Sequence, residues 1–158
     1  MQKTPPAAID LANHSVPHRV FRHTGPVNSL EQAAAERGHQ PGQVVRSILF
    51  RLGEGNFILA LVAGPAQISW PALRAYLGQS RLTMASEDEV LAVTGYRVGA
   101  VSPFGLPTPL RILADHNIFI HDEISIGSGE RGTAIILKSA DLRSNIENIE
   151  VGTFVQKK

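Results

Sequence analysis

The sequence predicts an α+β domain built on a mixed sheet, open or closed, with short helices set between its strands. Three observations predict it. Runs of β-formers occur in hairpin pairs, Val44–Arg51 and Phe57–Val62 flanking Gly53-Glu54-Gly55. Short segments with cap residues at both ends lie between such runs. Strands and helices do not alternate in the regular manner of a doubly wound sheet.

Residues 1–18 are Pro-rich and weakly patterned, and read as an N-terminal arm or poorly formed helix ahead of a single domain over 19–158. Ser29–Gly38 reads as a helix: Ser29 can cap it, Gln32 stands where a capping box needs it, and Gly38 can end it left-handed. After the hairpin, Ser69–Gly78 is a second helix with Pro71 early and Gly78 late. Arg81–Met84 is a short strand. Ser86–Gly95 is a third helix, with Ser86 and Glu89 as a capping box and an acidic first turn that suits the helix dipole. Leu110–Leu113, Glu123–Ile126 and Thr133–Leu137 are strand-like, Ser139–Asn145 is a short helix, and Ile149–Val155 can add a last strand.

The chain has 158 residues, 43% of them hydrophobic, enough for one domain with a substantial core. No apolar run approaches the roughly 20 residues that span a bilayer. The N-terminus carries Asp10 and two prolines where a signal peptide has its apolar stretch, so the expected location is cytoplasmic. The absence of cysteine excludes disulfides, zinc–thiolate sites and thiol nucleophiles. With a net charge of +1, attraction to nucleic acid needs a local basic patch.

Several patterns suggest chemistry. Gly127-Ser-Gly-Glu-Arg-Gly132 matches the dinucleotide fingerprint, but β-formers follow it where a helix is required. A hairpin loop, or a loop that offers backbone N–H groups to a ligand, also accounts for it. His14 and His18 are four apart, but Pro17 lies between them and no acid stands by as a third ligand, so no metal is expected. Neither a nucleophile elbow nor a phosphate-binding P-loop occurs. Asp122 and Glu123 are neighbours on a strand, so they point to opposite faces and read as surface charges.

The stretch Thr94–Pro109, TGYRVGAVSPFGLPTP, combines three glycines and three prolines with apolar side chains. Gly99 permits backbone shapes closed to other residues and close approach by another molecule. Pro103 fixes its own φ and pushes Ser102 into an extended shape. Val101 and Phe104 can anchor the loop in the core. Such a loop presents main-chain dipoles at fixed positions, able to stabilise an oxyanion. A structural crossover between sheet halves explains the same residues.

Gly42–Phe50, Ala85–Val90, Thr94–Leu106 and Gly127–Gly132 stand in an order that resembles the YbaK family of aminoacyl-tRNA deacylases, a domain also found as the editing insertion of bacterial prolyl-tRNA synthetases. The resemblance covers about residues 18–155. It implies a mixed, partly closed, barrel-like sheet surrounded by short helices. It implies hydrolysis, without metal, cofactor or protein nucleophile, of the ester joining a small wrong amino acid such as alanine or cysteine to tRNA, often tRNA for proline. The implied partners are the tRNA acceptor end and prolyl-tRNA synthetase.

By the same resemblance, the Gly99–Pro103 element lines the pocket and sets the carbonyl and ribose geometry, with Ser102 and Pro103 among its working residues. Gly127, Ser128 and Gly129 form another wall. Phe21, Ser47, Val101 and Phe104 contact substrate. Arg46 stands where members usually carry a lysine that holds the phosphate or ribose end. Arginine keeps the charge but places its donors differently. A non-catalytic module that keeps the pocket is the alternative this exchange leaves open.

Overall fold

The computed structural model describes residues 3–53 and 55–157, so Glu54 of the predicted hairpin turn, and the first two residues of the predicted arm, lie outside the described residues. Among the described residues, eight strands form two sheets. In the smaller, β1 (Arg19–Arg22) and β6 (Glu123–Gly127) flank β7 (Thr133–Lys138), all antiparallel. In the larger the order is β4 (Thr83–Met84), β2 (Val45–Gly53), β3 (Asn56–Ala63), β5 (Arg111–Asp115), β8 (Glu150–Gly152). Here β2 pairs antiparallel with β3 and β4, whereas β3–β5 and β5–β8 are parallel, so the sheet is mixed as expected.

Alternation along β3 explains the layering. Leu59 and Leu61 face the smaller sheet, where they meet Ile124, Ile126, Ile135 and Leu137. Ile58, Ala60 and Val62 face the other way, toward Leu73 and Leu77 of α3 (Trp70–Leu77) and Phe154. Successive side chains on a strand point to opposite faces, and a strand covered on both sides reads as a continuous apolar run. The barrel does not close fully: the two sheets meet edge to edge through one parallel bridge between Val44 and Ser125.

The helices follow their caps. Ser29 accepts from the Gln32 N–H at the start of α2 (Leu30–Glu36), but the Gln32 side chain reaches back to Asn28 rather than to Ser29. In α4 (Glu87–Thr94) the Ser86–Glu89 capping box is complete, and Gly95 ends the helix at φ +77°. Ser139–Asn145 forms α5.

Two segments differ from expectation. Within residues 1–18, Pro6–Asn13 is a formed helix, α1, with Ala7, Ala8 and Leu11 buried. Its proline sits at the first turn, where the missing N–H costs nothing. Strand β1 escaped the sequence reading because it is four residues long with an arginine at each end; β7 supplies its pairing.

Candidate active site

The loop that follows α4 is built from its own residues. Thr94 Oγ1 donates to the Val90 carbonyl at 2.6 Å and accepts from the Tyr96 N–H at 3.0 Å. The buried Tyr96 hydroxyl then donates to the Phe104 carbonyl at 2.6 Å, which spans the loop. Burial pushes the Tyr96 hydroxyl up to about 12. The Ser102 hydroxyl accepts from the Phe104 N–H at 3.2 Å. Val101 and Phe104 are buried in the core between the sheets. Burial of such a side chain stabilises by about 1.5–3 kcal/mol, which offsets part of the about 1–2 kcal/mol per residue that ordering a backbone costs. Gly99, at φ +91°, stays exposed at the tip.

The glycine-rich loop holds this tip from the side. A β-carbon on Gly127 would lie 2.0 Å from the Val101 carbonyl oxygen. Gly129 donates its N–H to the Ala100 carbonyl at 2.8 Å and adopts φ +92°, with the Tyr96 ring where a side chain would be. Helix α1 locks both loops: Ala7 N–H donates to the Ser128 carbonyl at 3.0 Å, and Asp10 accepts from the Gly105 N–H at 3.0 Å. The glycine motif therefore makes close main-chain contacts between two loops, and strand β7 follows it.

Between these loops and the start of β2 lies a cavity of about 290 Å³. Arg46, Ser47, Gly99, Val101 and Gly127 line it together. A largely apolar cleft of about 390 Å³ adjoins it, sharing Arg46, Ser47, Ile48, Gly99 and Val101 and adding Leu49, Met84, Ala85, Glu87, Val90 and Val98. Other predicted residues sit elsewhere. Ser102, Pro103 and Phe104 are buried behind the tip, as loop anchors. Ser128 is buried with its hydroxyl donating to the carbonyls of Glu130 and Thr133. Gly129 packs on Tyr96. Phe21 is on β1, its ring edge-on to His23 at 5.0 Å. None of these six is among the cavity's lining residues.

Arg46 is half-buried at the cavity wall. Its Nε donates to the Gly64 carbonyl at 2.9 Å and its Nη2 to the Ala66 carbonyl. Loss of water lowers its pKa from the ordinary guanidinium value, yet an arginine stays charged. The Ser47 hydroxyl is buried and has no hydrogen-bond partner among the described residues. A buried polar atom in that state is costly unless a ligand satisfies it.

Arg37 and Thr133 also line the cavity, and sequence reasoning missed both. Arg37 is the C-cap of α2 and reads locally as a helix end; only the fold shows that it turns inward, with Nη1 donating to Ser125 Oγ at 2.8 Å. Desolvation lowers its pKa too. Among the described residues no three histidine or carboxylate side chains gather as metal ligands, and no helix is long and apolar enough to cross a membrane.

Residues 24–144 match the aminoacyl-tRNA editing domain. The Escherichia coli K12 protein named multifunctional Ser/Thr-tRNA deacylase ProXp-y is 30% identical over 135 residues, covering 83% of this chain and 80% of that protein. A proline–tRNA ligase of Trichlorobacter lovleyi is 31% identical over 108 residues; the match covers 68% of this chain and only 19% of the ligase. A crystal structure described as a candidate trans-editing enzyme for prolyl tRNA synthetase shares the fold, with a TM-score of 0.87 at 23% identity, over 99% of this chain and 100% of that one. The chain belongs to the aminoacyl-tRNA editing domain family, a family of hydrolytic aminoacyl-tRNA deacylases.

Proposed function

We propose that this chain acts in trans to remove a small wrong amino acid, such as alanine, cysteine, serine or threonine, from mischarged tRNA, with tRNA for proline as the leading substrate. The family match and the relatives named above support this reading. The observation that carries it is at the tip of the loop. Among the described residues, the N–H groups of Gly99 and Val101 donate to no backbone carbonyl, and both residues border the cavity.

In this reading the aminoacyl ester lies in the cavity. Water adds to the ester carbonyl carbon, and the oxyanion that forms accepts from those fixed N–H groups. Preorganised dipoles of this kind cost no rearrangement during reaction. The bond from the carbonyl carbon to the ribose oxygen then breaks, and that oxygen takes the proton that the attacking water gives up. The products are a free amino acid and a tRNA with its terminal hydroxyls restored. Arg46, anchored through Nε and Nη2, turns its remaining nitrogen to the ribose or phosphate end. The Ser47 hydroxyl pairs with a polar group of the aminoacyl moiety. Neither metal nor protein nucleophile takes part, since an activated ester needs only positioning and charge stabilisation.

The cavity lies at the lower end of the about 300–1,000 Å³ usual for ligand sites, which favours small side chains. Editing answers a physical problem: a synthetase pocket discriminates one methylene by only about 1–3 kcal/mol. Prolyl-tRNA synthetase is the proposed partner, and the cytoplasm the proposed setting. The test is a panel of alanyl-, cysteinyl-, seryl-, threonyl- and prolyl-tRNA for proline, with amino-acid release followed over time. Release of one or more small amino acids, with proline retained, supports the reading. Tight binding of the panel without turnover favours the binding-module alternative.

A further inference from the structure

A second cleft, of about 550 Å³, shares Arg37, Gly99 and Thr133 with the cavity. His23, Val27 and Arg131 are among its other walls, and no carboxylate is among the described residues that line it. Two acids stand nearby, each with a partner: Glu36 with the wall residue His23 at 2.7 Å and Glu130 with Arg22 at 3.5 Å.

Two guanidinium groups are fixed at this cleft. Arg37 Nε donates to His23 Nε2 at 3.1 Å, and its Nη1 donates to Ser125 Oγ at 2.8 Å. A guanidinium only donates, so His23 Nε2 accepts; its Nδ1 then carries the proton and donates to Glu36 Oε1. This relay orients Arg37 and leaves its Nη2 without a hydrogen-bond partner among the described residues. Arg131 donates through Nε and Nη2 to the Val98 carbonyl, at 3.1 Å and 2.8 Å, beside Gly99. Its Nη1 is likewise unpartnered among the described residues. Each arginine thus has its direction set by the protein and one terminal nitrogen to offer.

We propose that this cleft is a phosphodiester subsite, in which Arg37 and Arg131 hold the phosphate on the 5′ side of the terminal nucleoside while the aminoacyl ester occupies the cavity. The inference rests on the deacylase reading. Guanidinium groups match the paired oxygens of a phosphate, and arginines outnumber carboxylates among the described residues that line the cleft. The chain's balanced net charge makes a local pair of this kind the natural source of affinity for RNA. Arg131, through Val98, also couples phosphate binding to the position of the Gly99 tip.

The test uses two substrates with the same amino acid: mischarged tRNA, and the aminoacyl ester of adenosine, which has no phosphate. Arg37→Gln and Arg131→Gln should each lower the kcat/KM preference for tRNA over aminoacyl-adenosine about tenfold. The rise of KM with salt should lose about one unit of log–log slope, and Arg37→Lys should recover part of the preference. Arg131 is exposed, so its variant remains informative if Arg37→Gln disturbs folding. An unchanged preference in Arg131→Gln overturns the subsite. Binding of adenosine 5′-monophosphate against adenosine provides a readout independent of turnover. Wild type should favour the monophosphate about tenfold, and the Arg37→Gln/Arg131→Gln double variant should bind the two alike. Equal binding by wild type overturns the subsite even if deacylation is robust; absence of deacylation with that preference intact counts against the deacylase reading alone.

Discussion

No side chain fits between Gly127 and Val101: the Val101 carbonyl oxygen lies 2.0 Å, and its carbonyl carbon 2.8 Å, from where a β-carbon on Gly127 would stand. Both neighbours are main-chain atoms of the loop whose tip borders the cavity, so neither can rotate away. Gly127→Ala should displace that loop. Overpacking of this kind costs about 1–3 kcal/mol. The expected result is a loss of that size in denaturant unfolding, with deacylation down by at least about tenfold because the N–H groups of Gly99 and Val101 move with the loop.

Ser47→Ala should behave in the opposite sense. The hydroxyl has no protein partner among the described residues, so its removal breaks no hydrogen bond in the free protein. Stability should hold or rise, by up to about 1–3 kcal/mol, because the variant no longer buries an unpaired hydroxyl. If the hydroxyl meets the aminoacyl group, kcat/KM should fall about tenfold, which parallel melting and steady-state kinetics would separate.

Tyr96 ties the two ends of the loop through the Phe104 carbonyl. Tyr96→Phe leaves that carbonyl unsatisfied and should cost about 1–3 kcal/mol. The same residue sets an alkaline limit. Its folded pKa of about 12 is above the ordinary value of 10.0, so the folded state holds the proton longer. Its contribution is complete below the ordinary value and is lost as pH rises from there through the folded value. Unfolding followed across that range should show the decline, and Tyr96→Phe should flatten it.

Much of this loop was legible in the sequence, because glycines, prolines and apolar anchors are local signals. So were α4 and the β2–β3 hairpin, through Ser86, Glu89 and the paired β-forming runs. What escaped depends on distant partners. Helix α1 was obscured by its prolines, although they sit at its start; its burial against the two loops is a tertiary fact. Arg37 looked like a helix-end residue, and its inward turn depends on His23 and Ser125. Ser102 and Ser128 carry the right chemistry for a site but point into the protein. How far the two sheets close on each other, through the single bridge between Val44 and Ser125, is a feature that the apolar runs alone leave undecided.

On the acid side, Glu150 is held below the ordinary carboxylate value of 4.5, first by hydrogen bonds from Arg111 and also by Tyr76. Glu123 is lowered in the same way, first by His39. A depressed folded pKa means that the unfolded chain binds the proton more readily. These contributions are present above the ordinary value and disappear as pH falls through the lower folded values. The urea midpoint should drop between about pH 5 and about pH 3. Glu150→Gln should lower it at neutral pH and make the drop shallower.

The most direct test of where the ester lies is amide NMR with a stable mimic, an aminoacyl group joined through an amide to the 3′ position of adenosine. The account predicts that the largest shift changes on titration fall on the Gly99, Val101 and Gly127 amides and on Ser47. If those signals stay in place while others move, the cavity between the two loops is not the site of deacylation.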